Sequence, residues 1–399
     1  EQAVMSIHVS FGETNSYRGR FLPYYGVNSD CEWIISGHSY KDKLADKNSL
    51  GNYATLANNG QMNTDNNAYA KFYEGIERAN LAIEGLKKYG NIETSKDMGQ
   101  LYGEALTLRA VIYSDLIKAW GDVPARFVPN SAENVYLPRC NRDSIYVRLL
   151  SDLLEAEDYC YWPNENKITS STERVSKTFV KALRARIALQ AGGYGQRANG
   201  YRRSTCPDLA PDKMYRIAMD ECLSILENVP GSYRNTLGEF KDNFDKLCKD
   251  NVTAGGESIW EIPFSDGRGR VLYTWGVRHQ AIDQYTGQAQ GGVNGPLPTL
   301  FYDYDPEDIR RDITCVPYQW SKELVEGKSY QELNKMNGWN FGKLRYEWMS
   351  RYVTSTNDDG VNWQYMRLAD VYLMAAEAIN ELEGPASAAK YMKPILDRA

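Results

Sequence analysis

The sequence predicts an all-α fold, built of helix pairs stacked on one another, with long irregular loops and a few short strands. Three observations carry that prediction. Apolar residues recur at spacings of three and four in successive stretches from residue 68 to 228 and again after 362, which gives each helix one buried face. Those stretches commonly end on Gly or Pro, the residues that stop helices. Strand-like alternation is rare and is clear only in ESIWEIPFSD, residues 257–266.

Residues 1–30 are only weakly periodic and end near Asn28, Ser29 and Asp30. From about 36 to 67 the chain is rich in Gly, Asn and Asp, which is loop chemistry. A connector of this length is functional or mobile. A helix follows over about 68–89, with Phe72, Ile76, Ala79, Ile83 and Leu86 on one face and Gly90 at its end. The next helix carries Leu101, Ala105, Leu108, Ile112, Leu116 and Ala119 as its stripe, with Glu104, Arg109, Asp115 and Lys118 off it. Gly121 suits a left-handed stop, Pro124 cannot continue the helix, and Trp120 can seal the last turn. These two helices are expected to form an antiparallel hairpin.

After a connector containing Pro129 and Pro138, Asn141 or Asp143 caps a third helix that runs to about Tyr161 on Ile145, Leu149, Leu153 and Ala156. A fourth starts near Ser176, carries Phe179, Leu183 and Ile187, and ends at Gly192-Gly193. A fifth spans about 212–228 and stops at Pro230. Ala218, Cys222, Ile225 and Pro230 keep the spacing of the second helix of a tetratricopeptide repeat, although Cys and Ile replace the usual aromatic and Ala. Such a pair cannot bury its faces alone, so neighbours must stack. A last pair runs from about Asn362 to Leu382 and from Pro385 onward, with Leu368, Val371 or Tyr372, Ala375, Ile379 and Leu382 as its stripe. The expected organisation is a single domain over 1–399, with scaffold at 68–230 and 362–399. An aromatic-rich insertion at 231–361 carries the ligand loops.

Composition narrows the function. Lys and Arg number 46 against 52 Asp and Glu, a net charge of −6, which lacks the basic field that nucleic acid requires. The three His (His8, His38, His279) and seven scattered Cys, with no CxxC pair, show no metal-ligand spacing. No cofactor is expected. No apolar run approaches the roughly 20 residues that span a bilayer. The chain starts at Glu1 and stops within an apparent helix, and both ends look like the edges of a fragment.

Nucleophile-elbow, zinc-protease, Walker and Rossmann patterns are absent from the sequence. The acids of YDYDPEDIRRD, residues 302–312, fit a turn beside a helix start at least as well as a glycosidase pair. The expectation is therefore binding without catalysis. Tyr is abundant at 29, and Trp260, Trp275, Trp320, Trp339, Trp348 and Trp363 fall in or beside the insertion away from helical spacing. Aromatic rings stack on the C–H face of a sugar, while amides and Arg hydrogen-bond its hydroxyls. The 36–67 loop offers Tyr40, Tyr53, Asn52, Asn63 and Asn67. The 265–295 loop offers Tyr273, Trp275, Arg278, His279 and Tyr285, and a third group is Trp320 with Trp339. From these, Tyr40, Tyr53, Asn67, Tyr273, Trp275, Arg278, Tyr285 and Trp320 are the candidate ligand-binding residues. Each ring has a plainer alternative role, anchoring its own loop to the scaffold. Trp260, inside the expected strand, is assigned to structure.

Six blocks now stand in order: YEGIERANLAIEGL (73–86), GEALTLRAVIYSDLIKAWGDVP (103–124), NRDSIYVRLLSDLLEAEDYCYWP (141–163), RVSKTFVKALRARIALQAGGY (174–194), ESIWEIPF (257–264) and YMRLADVYLMAAEAINEL (365–382). In these blocks the chain resembles the SusD-like (SusD/RagB) family of nutrient-binding outer-membrane lipoproteins of Bacteroidota. The resemblance implies a SusD-like α-α superhelix of four tetratricopeptide-like pairs, with ligand sites in irregular loops. It also implies an N-terminal lipid anchor, absent from this chain, on the outer face of the outer membrane. A SusC-like TonB-dependent transporter would be the partner and a glycan the ligand. The family's ligand residues follow no fixed motif, so none is carried over. The alternative expectations are a binder of peptide or another non-glycan nutrient, or a helical-repeat adaptor.

Overall fold

The computed structural model describes residues 1–27, 29–35, 46–51 and 53–399, without the side chains of residues 46 and 47. Its helices are α1 (Gln2–Gly12), α2 (Asp46–Gly51), α3 (Ala68–Tyr89), α4 (Lys96–Trp120), α5 (Arg142–Tyr159), α6 (Lys177–Gly192), α7 (Pro211–Leu226), α8 (Phe240–Cys248), α9 (Val271–Trp275), α10 (Pro298–Asp303), α11 (Ile309–Thr314), α12 (Leu368–Glu383) and α13 (Pro385–Leu396). From α3 to α7 each helix packs on the next, α7 then packs on α12, and α12 packs on α13. The scaffold is thus an all-α, tetratricopeptide-like stack. The chain leaves it after α7, builds the insertion, and re-enters it at α12.

The sequence-expected helices from 68 to 228 form within a few residues of the expected bounds, apart from α4, which begins earlier, at Lys96. Ser95 caps α4, its side chain accepting from the Met98 N–H. Besides the short helices α2, α9, α10 and α11, two longer helices were not expected. The first is α1, which buries Val4, Ile7 and Phe11 and packs on α3. The second is α8, which buries Phe240, Phe244 and Leu247. The final pair also starts later than expected. Residues Trp363–Arg367 are a strand paired antiparallel with Ser258–Ile262, Trp363 opposite Ile262 and Met366 opposite Trp260. Helix begins only at Leu368, where Asp370 accepts from the Arg367 N–H.

Helix α4 is buried on all sides rather than along one stripe. The residues off its stripe are accommodated by pairing, because a buried charge without a partner is costly. Arg109 donates to Asp152 at 2.6 Å, to Asn80 at 2.8 Å and to the Phe127 carbonyl at 3.2 Å. Asn80 in turn donates to the carbonyls of Arg126 and Val128. This one network ties α3, α4 and α5 to the connector after α4. Asp115 accepts from the hydroxyls of Tyr17 at 2.9 Å and Tyr365 at 3.1 Å. Glu104 accepts from Arg174 and His8. Gly121 stops α4 at φ 74°, and a Cβ there would run into the Arg142 guanidinium.

The insertion is a set of short antiparallel pairs. Cys315–Val316 pairs with Asn340–Phe341, and Tyr318–Trp320 pairs with Gln331–Leu333. Asn294–Pro296 pairs with Glu32–Ile34 from the N-terminal segment. The inner pair Ser258–Ile262 and Trp363–Arg367 joins the insertion to the core. Trp260 there is fully buried, stacked on Phe179 at 4.5 Å and edge-on to Tyr365 at 5.3 Å.

Candidate functional site

The strand pairs and the glycine turn at 291–292 frame an open cleft of about 570 Å³. Its walls are Ile35, Arg278, Gln280, Gly292, Gln319, Asn334, Lys335, Asn337, Gly338 and Asn340. The backbone fixes the first two polar groups: the Trp320 N–H donates to the Arg278 carbonyl at 2.8 Å, and the Gln280 N–H to the Trp320 carbonyl at 3.2 Å. Gln280 Nε2 donates to Gln319 Oε1 at 2.8 Å, and Gln319 Nε2 to Glu332 Oε1 at 2.9 Å. Asn340 Nδ2 donates to the Tyr318 carbonyl at 2.8 Å, while its Oδ1 accepts nothing from the chain. Gly292 has φ 64°, and a Cβ there would come within 2.6 Å of Asn340 Oδ1 and 2.9 Å of Arg278 Cβ. Glycine at this position keeps the left-handed turn and leaves Arg278 and Asn340 their room.

Behind the cleft lies a packed ring cluster. Trp320 stacks on His279 with centroids 5.6 Å apart, and Tyr285 meets Trp320 edge-on at 5.1 Å. His279 Nδ1 lies 2.6 Å from Asp283, whose Oδ2 also accepts from Ser329 Oγ. Burial pushes the Asp283 carboxyl up, but the hydrogen bonds from His279, the Tyr285 N–H and Ser329 outweigh it and hold it below its ordinary range. Trp339 lies between the wall residues Gly338 and Asn340 in the chain but does not itself line the cleft. Its buried ring meets Phe301 at 5.1 Å and Tyr302 at 6.2 Å. Tyr302 itself is 64% exposed and offers a ring face to solvent.

The eight sequence candidates do not form one site. Arg278 lines the cleft; Trp320 and Tyr285 pack behind it. Trp275 is buried, donates from Nε1 to Glu32 Oε1 at 2.7 Å and lies 4.5 Å from Trp363. Tyr273 is half-buried beneath the Arg270 guanidinium. Tyr53 is exposed in a left-handed conformation at φ 62°. Asn67 precedes α3 and donates to Asn63 Oδ1 and the Asp65 carbonyl within its own loop. Tyr40 and Asn52 lie outside the described residues. Sequence reasoning missed Gln280, Gln319, Asn334, Lys335, Asn337, Asn340 and Tyr302. The mix of amides and Trp339 over 334–340 was the available signal. Among the described residues, no group of three or more His, Cys, Asp or Glu is placed to hold a metal, and no helix is long and apolar enough to cross a membrane.

Fold and site together define a helical-repeat protein whose inserted strand pairs build a polar, ring-flanked cleft. A SusD-like family model described as "Starch-binding associating with outer membrane" matches residues 25–189, and the SusD family model matches 313–399. The chain belongs to the SusD-like family. It is similar to SusD-like protein P25 of Formosa agariphila, 24% identical over 88% of this chain and 66% of that protein. It is also similar to SusD-like protein P2 of the same organism, 24% identical over 86% of this chain and 65% of that one. The chain therefore spans about two thirds of the length of these relatives. Among solved structures, a SusD homolog from Bacteroides thetaiotaomicron superposes with a TM-score of 0.78 at 17% identity, covering 98% of this chain and 76% of the other. Surface glycan-binding protein A from the same organism, solved with laminarihexaose, gives 0.73 at 18% identity, covering 100% and 82%. At these identities the structures share the fold.

Proposed function

We propose that this protein binds glycan in the 278–340 cleft and does no chemistry on it. The observation that carries this is the cleft lining: amide side chains and a guanidinium suited to hydroxyl groups. Cleavage would call for two carboxylates facing each other across the bound sugar, and the described cleft wall carries none. The proposed contacts are Arg278, Gln280, Gln319, Asn334 and Asn337, in front of the buried Asn340, and the exposed ring of Tyr302, which packs on Trp339, is proposed as a platform. The laminarihexaose-bound relative and the family description support a glycan as ligand.

On this view the protein sits on the outer face of the outer membrane through an N-terminal lipid and passes oligosaccharide to a SusC-like TonB-dependent transporter. Each site would bind weakly, and long ligands would gain avidity. Affinity electrophoresis and calorimetry against a polysaccharide panel test the binding. Retardation by at least one polymer, with no product released on prolonged incubation, is the expected result. Failure of every glycan, or release of shorter sugars, would overturn it. Co-purification from the native membrane tests the transporter partner.

A further inference from the structure

We propose that the glycan held in this cleft is acidic, carrying carboxylate or sulfate groups that meet Arg278 and Lys335; this rests on the glycan-binding reading above. Among the described residues the cleft wall holds two cations, five amides (Gln280, Gln319, Asn334, Asn337, Asn340) and no carboxylate. That balance is local, because the chain as a whole carries −6.

Arg278 is the telling residue. Several partly or fully buried arginines elsewhere find carboxylates, Arg109 with Asp152 at 2.6 Å, Arg174 with Glu104 at 2.7 Å, Arg197 with Asp143 at 2.7 Å and Arg367 with Glu257 at 2.8 Å, while Arg18, Arg20 and Arg345 are met by two or more neutral acceptors or hydroxyls each. Arg278 forms no ion pair among the described residues. Among the described residues its guanidinium makes a single hydrogen bond, NH1 to the Gly291 carbonyl at 3.2 Å. Burial works against its charge, and the groups that favour the charge are the phenols of Tyr273 and Tyr346 rather than any acid. A guanidinium stays protonated under such conditions, so it stands partly desolvated without a counter-ion. Its remaining N–H donors suit the two oxygens of a uronate carboxylate or a sulfate.

Lys335 is exposed on the same wall and likewise forms no ion pair among the described residues. Glu332, the carboxylate joined to this set by hydrogen bonding, is engaged by Gln319 Nε2. A neutral sugar would satisfy the amides and leave both cations uncompensated. An acidic sugar satisfies amides and cations together, and long-range attraction would concentrate it at the cleft.

The test is calorimetry with polygalacturonate, alginate and chondroitin sulfate against neutral laminarin and pullulan, using the protein and its Arg278→Gln, Lys335→Gln, double and Arg278→Lys forms. At least one acidic polymer is expected to bind about tenfold or more tighter than either neutral one, with affinity falling as salt rises. The double variant is expected to lose most of that preference. Arg278→Lys is expected to retain part of it, and the exposed Lys335→Gln reports even if Arg278→Gln folds poorly. Neutral polymers binding as tightly as every acidic one would overturn the acidic preference while leaving glycan binding intact. Acidic binding unchanged in both Gln variants, or insensitive to salt, would also overturn it. No binding by either class would remove the underlying reading as well.

Discussion

Replacing Glu104 by Gln is expected to destabilise the scaffold more than its modest change in shape suggests. The carboxylate is fully buried on α4. Oε1 accepts from Arg174 Nε at 2.9 Å and His8 Nε2 at 3.1 Å, and Oε2 accepts from Arg174 NH2 at 2.7 Å. A carboxamide fills the same space, but its NH2 turns a donor toward donors. Among the described residues, the carboxylate left to the Arg174 guanidinium would be the exposed Glu1 at 3.6 Å. Removing one partner of a buried pair costs about 3–5 kcal/mol. A second route gives a similar size. Burial pushes the Glu104 carboxyl up, but the hydrogen bonds from Arg174 and His8 outweigh it and hold the pKa at about 2, against an ordinary 4.5. That difference is on the order of 3 kcal/mol. Because the folded pKa is depressed, the contribution is complete above about pH 4.5 and is lost as pH falls through about 2. Urea unfolding of both proteins, followed from neutral pH into acid, checks it. The expected gap is about 3 kcal/mol at neutral pH, shrinking toward pH 2 as the native carboxylate takes up its proton. A gap under about 1 kcal/mol at neutral pH, or one that acid leaves unchanged, would refute the reasoning.

Three further outcomes are expected. Gly121→Val places a β-branched residue at φ 74° against Arg142 and should cost about 2 kcal/mol or more; thermal melting reads the loss, and glycan retention of the folded fraction should not change. Tyr302→Ala removes the exposed ring packed on Trp339 and should weaken glycan binding by about 1 kcal/mol with melting nearly unmoved; retention equal to the parent's would exclude Tyr302 as a platform. All seven cysteines are unpaired, and Cys31 is exposed while Cys160, Cys222, Cys248 and Cys315 are buried. A thiol reagent with mass mapping should therefore modify Cys31 first and the buried four only on unfolding, since burial also raises their thiol pKa values.

The scaffold was largely legible because an amphipathic helix writes its buried face at spacings of three and four. Helices α3 to α7 did so. Helix α1 wrote it faintly, with Val4, Ile7 and Phe11 as its main buried apolar side chains in a short helix. The polar residues of α4 misled in a specific way. Glu104, Arg109 and Asp115 lie off the apolar stripe, yet each is buried because its partner comes from far along the chain: Arg174, Asp152, and the pair Tyr17 and Tyr365. Periodicity registers polarity and is blind to such partners. The same limit explains Trp363–Arg367, whose strand character depends on a pairing with residues about a hundred positions earlier.

The cleft was legible in composition and not in membership, and the reason lies in what a ring or an amide has left to offer once the chain folds. Trp275 spends its indole N–H on Glu32 and lies against Trp363; Trp320 stacks on His279 and meets Tyr285 edge-on. Those rings fix the loops, and by doing so they lose the free face that stacking on a ligand requires. Tyr302 is backed by Trp339 and Phe301 yet keeps a face in solvent, so its neighbours make it rigid without consuming it. The same distinction separates the arginines. Arg109 is saturated by Asp152, Asn80 and a carbonyl, whereas Arg278 keeps most of its donors unspent. Short strand pairs suit this division. Each fixes a backbone register of two or three residues while a side chain still faces the cleft, as the half-buried Gln319 shows. A site assembled from such pairs depends on pairings distant in the chain, so its members can be identified only after those pairings are known.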